Sequence, residues 1–181
     1  MKLILIYPPV QNVGLEVTQI VIAEEGGTYP PIGLLSLATS IMEKGVHEVK
    51  VIDALAENLS YADIEKRIAL EHPDIVGIRM VTDYLRDGLL TAKSVKRVSP
   101  EIKVIAGGPH VDIYPVETIL LEDIDYAVMG DGDYIINDIL DRLASGKTLD
   151  DLEGVITKTN YGTAKQERIL VRNLDDLPII K

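Results

Sequence analysis

Five short runs of aliphatic and β-branched residues, at 3–7, 49–53, 75–80, 102–106 and 126–129, alternate along the chain with segments whose apolar residues return every three or four positions. That alternation predicts an α/β fold, a parallel sheet with helices on both faces. The runs are nearly continuous in apolar character, as strands buried on both sides require. Right-handed crossovers then give a flavodoxin-like (Rossmann-like), doubly wound, five-stranded sheet of order 2-1-3-4-5, with the switch point between strands one and three.

The helical stripes are equally legible. Leu34, Leu37, Ala38 and Ile41 share a face that stops at Gly45, and Ser60 opens a second helix with Ile64 and Ile68 inward. A third runs from about Asp83, carries Leu85, Leu89, Ala92 and Val95, and ends before Pro100. Pro115 starts a short fourth helix with Ile119 and Leu120, and Ile136, Ile139, Leu140 and Leu143 mark a fifth that stops at Gly146. These stripes are read as core. Beyond Gly146, the strand-like Gly154-Val155-Ile156-Thr157 and Ile169-Leu170-Val171 flank a turn at Asn160-Tyr161-Gly162, which predicts a β-hairpin extending an edge of the sheet. The chain thus divides into an α/β domain over 1–147, a hairpin appendage over 148–173 and the start of a linker over 174–181.

Charge and composition narrow the partners. A formal net charge of -11 argues against a phosphate-tracking nucleic-acid surface, which gains affinity from clustered Lys and Arg. No run approaches the ~20 apolar residues of a membrane span. The apolar start is broken by Pro8 and Pro9 before it reaches signal-peptide length. The absence of cysteine excludes disulfides, thiolate zinc sites and iron-sulfur clusters within this stretch, and a cytoplasmic setting is expected.

Ligands of an open parallel sheet bind beyond the carboxyl ends of its strands. The first such connection, from Pro8 to about Pro31, is longer than the ~12–15 residues above which loops are functional or disordered, and it holds Gly14, Gly26 and Gly27. The third strand runs into Val81-Thr82-Asp83, where hydroxyl and carboxylate also suit helix capping. The fourth ends in Gly107-Gly108-Pro109-His110 and the fifth in Gly130-Asp131-Gly132-Asp133, two glycine pairs that suit a broad, flat ligand. Gly108 is expected to bring its backbone against that ligand, so that an added side chain would intrude. No dinucleotide fingerprint follows the first strand, no G-K-S/T phosphate loop is present, and the acidic cluster of a receiver domain is missing. His47 and His72 fall on the far edge, while His110, on the ligand edge, is read as a hydrogen bonder before a metal ligand.

Six segments in order resemble the N-terminal cobalamin-binding domain of radical S-adenosylmethionine enzymes. They are Tyr7-Pro8-Pro9, Tyr29-Pro30-Pro31-Ile32-Gly33 running into Leu34, Pro73-Asp74-Ile75-Val76-Gly77-Ile78, Gly107-Gly108-Pro109-His110, Asp125 through Asp133, and Asn173-Leu174-Asp175-Asp176-Leu177-Pro178. The resemblance implies cobalamin contacts at Pro8, Pro9, Tyr29, Pro31, Gly33, Thr82, Gly107, Gly108, Pro109, His110, Gly130, Asp131 and Gly132. It implies no catalytic and no metal-ligating residue in the chain itself. The D-x-H-x-x-G motif that supplies a lower cobalt ligand in methionine synthase and the mutases is absent, as is the CxxxCxxC cluster motif. Iron-sulfur cluster and S-adenosylmethionine would therefore belong to a radical domain beyond Lys181, and that domain would be the chain's own partner. The alternatives left open are a non-catalytic interaction domain of the same fold that has lost cobalamin, and an enzyme acting alone, for which no nucleophile-base pair is found.

Overall fold

A computed structural model of the protein describes residues 1–12, 29–162 and 167–180. Strand β1 (Lys2–Tyr7) lies in the sheet interior, and its alternation sends Leu3 and Leu5 to one face and Ile4 and Ile6 to the other. It pairs in parallel with β2 (Glu48–Asp53) on one side and β3 (Ile75–Arg79) on the other. Strands β4 (Lys103–Gly107) and β5 (Tyr126–Val128) continue in parallel, and β6 (Val155–Thr157) closes the edge antiparallel to β5. The order β2-β1-β3-β4-β5-β6 contains the expected 2-1-3-4-5, with the order in which strands are added reversing between β1 and β3.

Helices α1 (Ile32–Lys44) and α6 (Ile136–Ala144) cover the Leu3/Leu5 face. The opposite face is covered by α2 (Tyr61–Glu71), α3 (Leu85–Val98), α4 (Pro109–Ile113) and α5 (Pro115–Ile119). Local chemistry sets their ends. Ser60 and Asp63 form a reciprocal capping box at the start of α2, and α1 terminates at Gly45, whose φ of 67° is the left-handed turn favoured by glycine. Asp87, fully buried in α3, accepts from the backbone amides of Gln11 and Asn12 at 3.2 and 3.0 Å, fixing the chain just after Pro8-Pro9.

Three expectations change. Asp83 belongs to a separate 3-10 turn (Thr82–Tyr84), and α3 begins only at Leu85 because Tyr84 leaves helical geometry at φ -129°, ψ 36°. The short fourth helix expected from Pro115 is preceded by another: Pro109 occupies the first turn of α4, which ends just before α5. The hairpin is corrected in its pairing. Asn160 turns back on β6, accepting from Thr157 N at 2.8 Å and donating to Val155 O at 3.1 Å, so the backbone groups a returning strand needs are already taken. Ile169 instead makes a single parallel bridge with Gly130. The rest of the long first connection, with Gly14, Gly26 and Gly27, lies outside the described residues.

Candidate functional site

At the carboxyl edge, on the α1/α6 face, the sheet and its two helices leave a cleft of about 240 Å³. Its floor is apolar, formed by Leu3, Leu5, Ile105 and Val128, with Ile136 and Ile139 of α6 and Leu34 of α1 as walls. The space exists because glycines stand where side chains would fill it. Gly77 instead makes room for the floor itself, since a Cβ there would meet Leu5 Cδ2 at 2.8 Å, whereas a Cβ added at Gly33, in the first turn of α1, would meet nothing within 4 Å. A Cβ at Gly107 would touch only Val128 O at 3.8 Å. Gly33 and Gly107 thus form a cradle that side chains would occupy.

Of the residues singled out from sequence, Gly33, Gly107, Gly108, Pro109, Gly130, Asp131 and Gly132 come together around this cleft. Pro8, Pro9, Tyr29, Pro31, Thr82 and His110 do not line it. Pro8 and Pro9 are buried, Tyr29 is 82% exposed, and Pro31 accepts the first amides of α1, from Leu34 and Leu35. Thr82 and His110 meet each other, Oγ1 to Nδ1 at 3.1 Å, and the His110 ring lies against Tyr114 with centroids 5.2 Å apart. That packing ties the loop after β3 to α4 and holds the imidazole away from the cleft wall. Burial pushes the His110 pKa below its ordinary value, so the fold favours the neutral ring.

For Gly108 the structure adds a cause that the sequence did not carry. Its backbone does line the cleft, but its φ of 104° is a glycine conformation, and a Cβ there would meet Met80 O at 3.0 Å. Glycine is required by the chain's own path over β3. Gly130 has a similar cause: with φ 80°, its Cβ would overlap the backbone of Ile169. Residues 168–171 strap this turn from outside, with Asp131 N donating to Ile169 O at 2.6 Å, Val171 N to Asp131 Oδ2 at 2.8 Å and Arg168 to Asp112 O at 2.8 Å. From inside, Ser36 of α1 donates to Asp133 at 2.5 Å.

One polar feature of the rim was missed from sequence. Arg79 ends β3 two residues after Gly77, hence on the cleft face, and lines the cleft. Its guanidinium lies 4.8 Å from the centroid of the Tyr7 ring and donates to the Tyr84 hydroxyl, which in turn stands 3.0 Å from that of Tyr7. The signal was available: a lone cation ending an otherwise apolar strand, in register with the strand's one glycine.

Chemically, the cleft offers shape, an apolar floor and a rim of backbone groups. Among the described residues, no set of three or more His, Asp and Glu side chains could hold a metal ion. No helix among them is long and apolar enough to cross a membrane. At about 240 Å³ the cleft is smaller than the ~300–1,000 Å³ that encloses a whole drug-sized ligand.

The chain is similar to several known proteins. The chain is 37% identical over 99% of its length to an uncharacterized methyltransferase of Pyrococcus horikoshii, covering 38% of that protein. It is 26% identical over 83% of its length to the anaerobic magnesium-protoporphyrin IX monomethyl ester cyclase of Rubrivivax gelatinosus, covering 26% of it. The chain therefore spans well under half the length of these relatives. Among solved structures, the radical S-adenosylmethionine methyltransferase TsrM of Kitasatospora setae, with cobalamin and a 4Fe-4S cluster bound, shares the fold with a TM-score of 0.70 at 17% identity, over 86% of this chain and 27% of TsrM. The B12 binding domain family matches residues 18–140, most of the chain, and the protein belongs to that family.

Proposed function

We propose that the chain holds cobalamin across the carboxyl edge of its sheet, as the cofactor-binding part of a longer radical S-adenosylmethionine methyltransferase or related oxidoreductase. The observation that carries this reading is the glycine cradle: Gly33 and Gly107 leave open, over an apolar floor, space that any side chain would enter. A cofactor with a flat macrocycle and a nucleotide arm fits such a site, the arm in the cleft and the ring over the rim. Gly33, Gly107, Gly108, Pro109, Gly130, Asp131 and Gly132 would hold it. Pro8, Pro9 and Pro31 shape the approach, and Thr82 with His110 braces the loop after β3. Tyr29, exposed beside α1, would meet the ring. Bound cobalamin supplies a methyl carrier or electron-transfer partner, while this chain's residues bind, orient and exclude water.

In this reading residues 1–147 with the edge strand and strap of 148–173 form the cofactor module. Residues 174–181 begin the connection to a domain that supplies the iron-sulfur cluster and S-adenosylmethionine, in a cytoplasmic protein. The length of the relatives supports a further domain. The test is to mix the purified chain with hydroxocobalamin, remove free cofactor by gel filtration and record the visible spectrum. Near-stoichiometric cobalamin in the protein peak is expected. A colourless peak overturns the reading in favour of an interaction domain that has lost its ligand.

A further inference from the structure

Arg79 is the one cation among the described residues that line the cleft, and it is held differently from the ion-paired guanidinium groups of the surface. Arg67, Arg97 and Arg142 each meet a carboxylate, at Glu57, Glu65 and Asp151. Arg79, on the cleft wall, meets none among the described residues and is held by two phenols. The Tyr7 ring supports the guanidinium face, a cation–π contact, and Tyr84 accepts one N–H. Burial raises the Tyr84 pKa to about 12, so its hydroxyl stays neutral and does not cancel the charge. A guanidinium carries five N–H donors, and Tyr84 uses one. Asp131 and Asp133, the carboxylates that also line the cleft, accept from Val171 N and Ser36, whereas the Arg79 guanidinium is held by phenols and keeps donors free for an anionic group of a ligand.

We infer that Arg79, positioned by Tyr7 and Tyr84, binds the phosphodiester of the cobalamin nucleotide arm at the mouth of the cleft. The inference rests on the cobalamin reading above and adds what selects the intact cofactor. The macrocycle's side chains are uncharged amides, so the phosphodiester is the anionic group of the arm. Guanidinium geometry matches two phosphate oxygens at once. The arm's base would then descend onto the floor of Leu3, Leu5 and Ile105, where no polar partner is needed. Tyr7 and Tyr84 are positioning residues, acting through Arg79.

The experiment compares two ligands on the full chain. Hydroxocobalamin carries the nucleotide arm, whereas hydroxoaquacobinamide has the same ring without the phosphodiester. Arg79→Met should weaken hydroxocobalamin binding about ten- to hundred-fold, the range of a lost charge-assisted bond, and leave cobinamide binding unchanged. Arg79→Lys should recover part of the loss through charge alone. Tyr84→Phe should shift the cobalamin-to-cobinamide ratio in the direction of Arg79→Met by a smaller factor, which a purely structural tyrosine would not do. Added salt should weaken cobalamin binding to the parent more than to Arg79→Met. If Arg79→Met loses both ligands equally, or neither, while the parent binds cobalamin, the phosphodiester assignment is overturned and the cobalamin reading stands. If the parent binds neither ligand, the cobalamin reading falls and this inference with it. Should Arg79→Met fail to fold, the ligand ratio of Arg79→Lys and Tyr84→Phe decides, an unchanged ratio in both counting against the assignment.

Discussion

Gly88 in α3 and Gly33 in α1 are glycines of helices that cover opposite faces of one sheet. A Cβ at Gly88 would overlap the sulfur of Met80, because α3 has closed down on the end of β3 until no gap remains. A Cβ at Gly33 would meet nothing. Strands of similar apolar character thus present one face packed to contact and one face with a cleft. Composition does not create the cleft, since Leu3, Leu5, Ile105 and Val128 are as aliphatic as Ile4, Ile6, Val76 and Val104. What differs is whether the covering layer settles onto the glycine or stands off from it. Close packing of one face is therefore compatible with reserving space on the other.

The comparison makes its largest demand on stability. Gly88→Val should cost about 1–3 kcal/mol in urea denaturation, as overpacking against Met80 forces α3 outward. Gly33→Val should leave stability within about 0.5 kcal/mol of the parent, because valine is no worse than glycine in a helix and no neighbour is displaced. The same Gly33→Val should weaken cobalamin binding about tenfold or more by occupying the cradle. If Gly33→Val destabilises as much as Gly88→Val, the cleft face is as tightly packed as the other and the comparison breaks.

A finer version lies within two consecutive residues. Gly108 holds φ at 104° with Met80 O 3.0 Å from its missing Cβ, while Gly107 sits in β4 facing open space. Gly108→Ala should lose about 1–2 kcal/mol of stability through backbone strain. Gly107→Val should keep the fold, since β-branched residues suit strands, yet reduce cobalamin affinity. Thermal unfolding and a cobalamin titration on both variants separate a glycine that serves the chain from one that serves the ligand. Equal stability losses would show that both serve the chain.

That distinction explains what the sequence could and could not reveal. The five parallel strands and their order were legible because each buried strand is a continuous aliphatic run and each crossover has one allowed hand. The carboxyl edge, where the cleft lies, was legible because an open parallel sheet with a reversal of winding splits its loops there. The glycine pair at 107 and 108 was visible, but one-letter spacing carries no φ, so two different causes looked like one. The hairpin misled because Asn160 reads as a turn residue, while its amide satisfies the edge of β6. Arg79 escaped notice because its setting, between Tyr7 and Tyr84 on the cleft wall, is assembled across the fold and is invisible in sequence. Thr82 and His110 were placed on the correct edge yet face each other rather than the cleft.

The smallest predicted effect tests whether His110 belongs to the packed side of the comparison. Burial holds its pKa below the ordinary value of about 6.5, so the unfolded chain takes up a proton that the folded protein resists. The contribution of the neutral ring is complete above that ordinary value and is lost as pH falls below it toward the lowered folded value. His110→Gln should therefore cost about 0.5–1.5 kcal/mol near pH 8, where the bond to Thr82 and the contact with Tyr114 are weakened. Toward about pH 5.5 the gap between parent and variant should narrow, because only the parent carries the protonation penalty. Urea midpoints at the two pH values measure it. A gap that widens on acidification would mean a ring charged in the fold, with an anionic partner, contrary to the contact with Thr82. The cobalamin bands serve as the second readout. An imidazole braced against Thr82 and Tyr114 cannot ligate cobalt over the cleft, so the bands should be the same in parent and variant. A shift would place the ring at the metal and erase the boundary between the packed loop and the cleft.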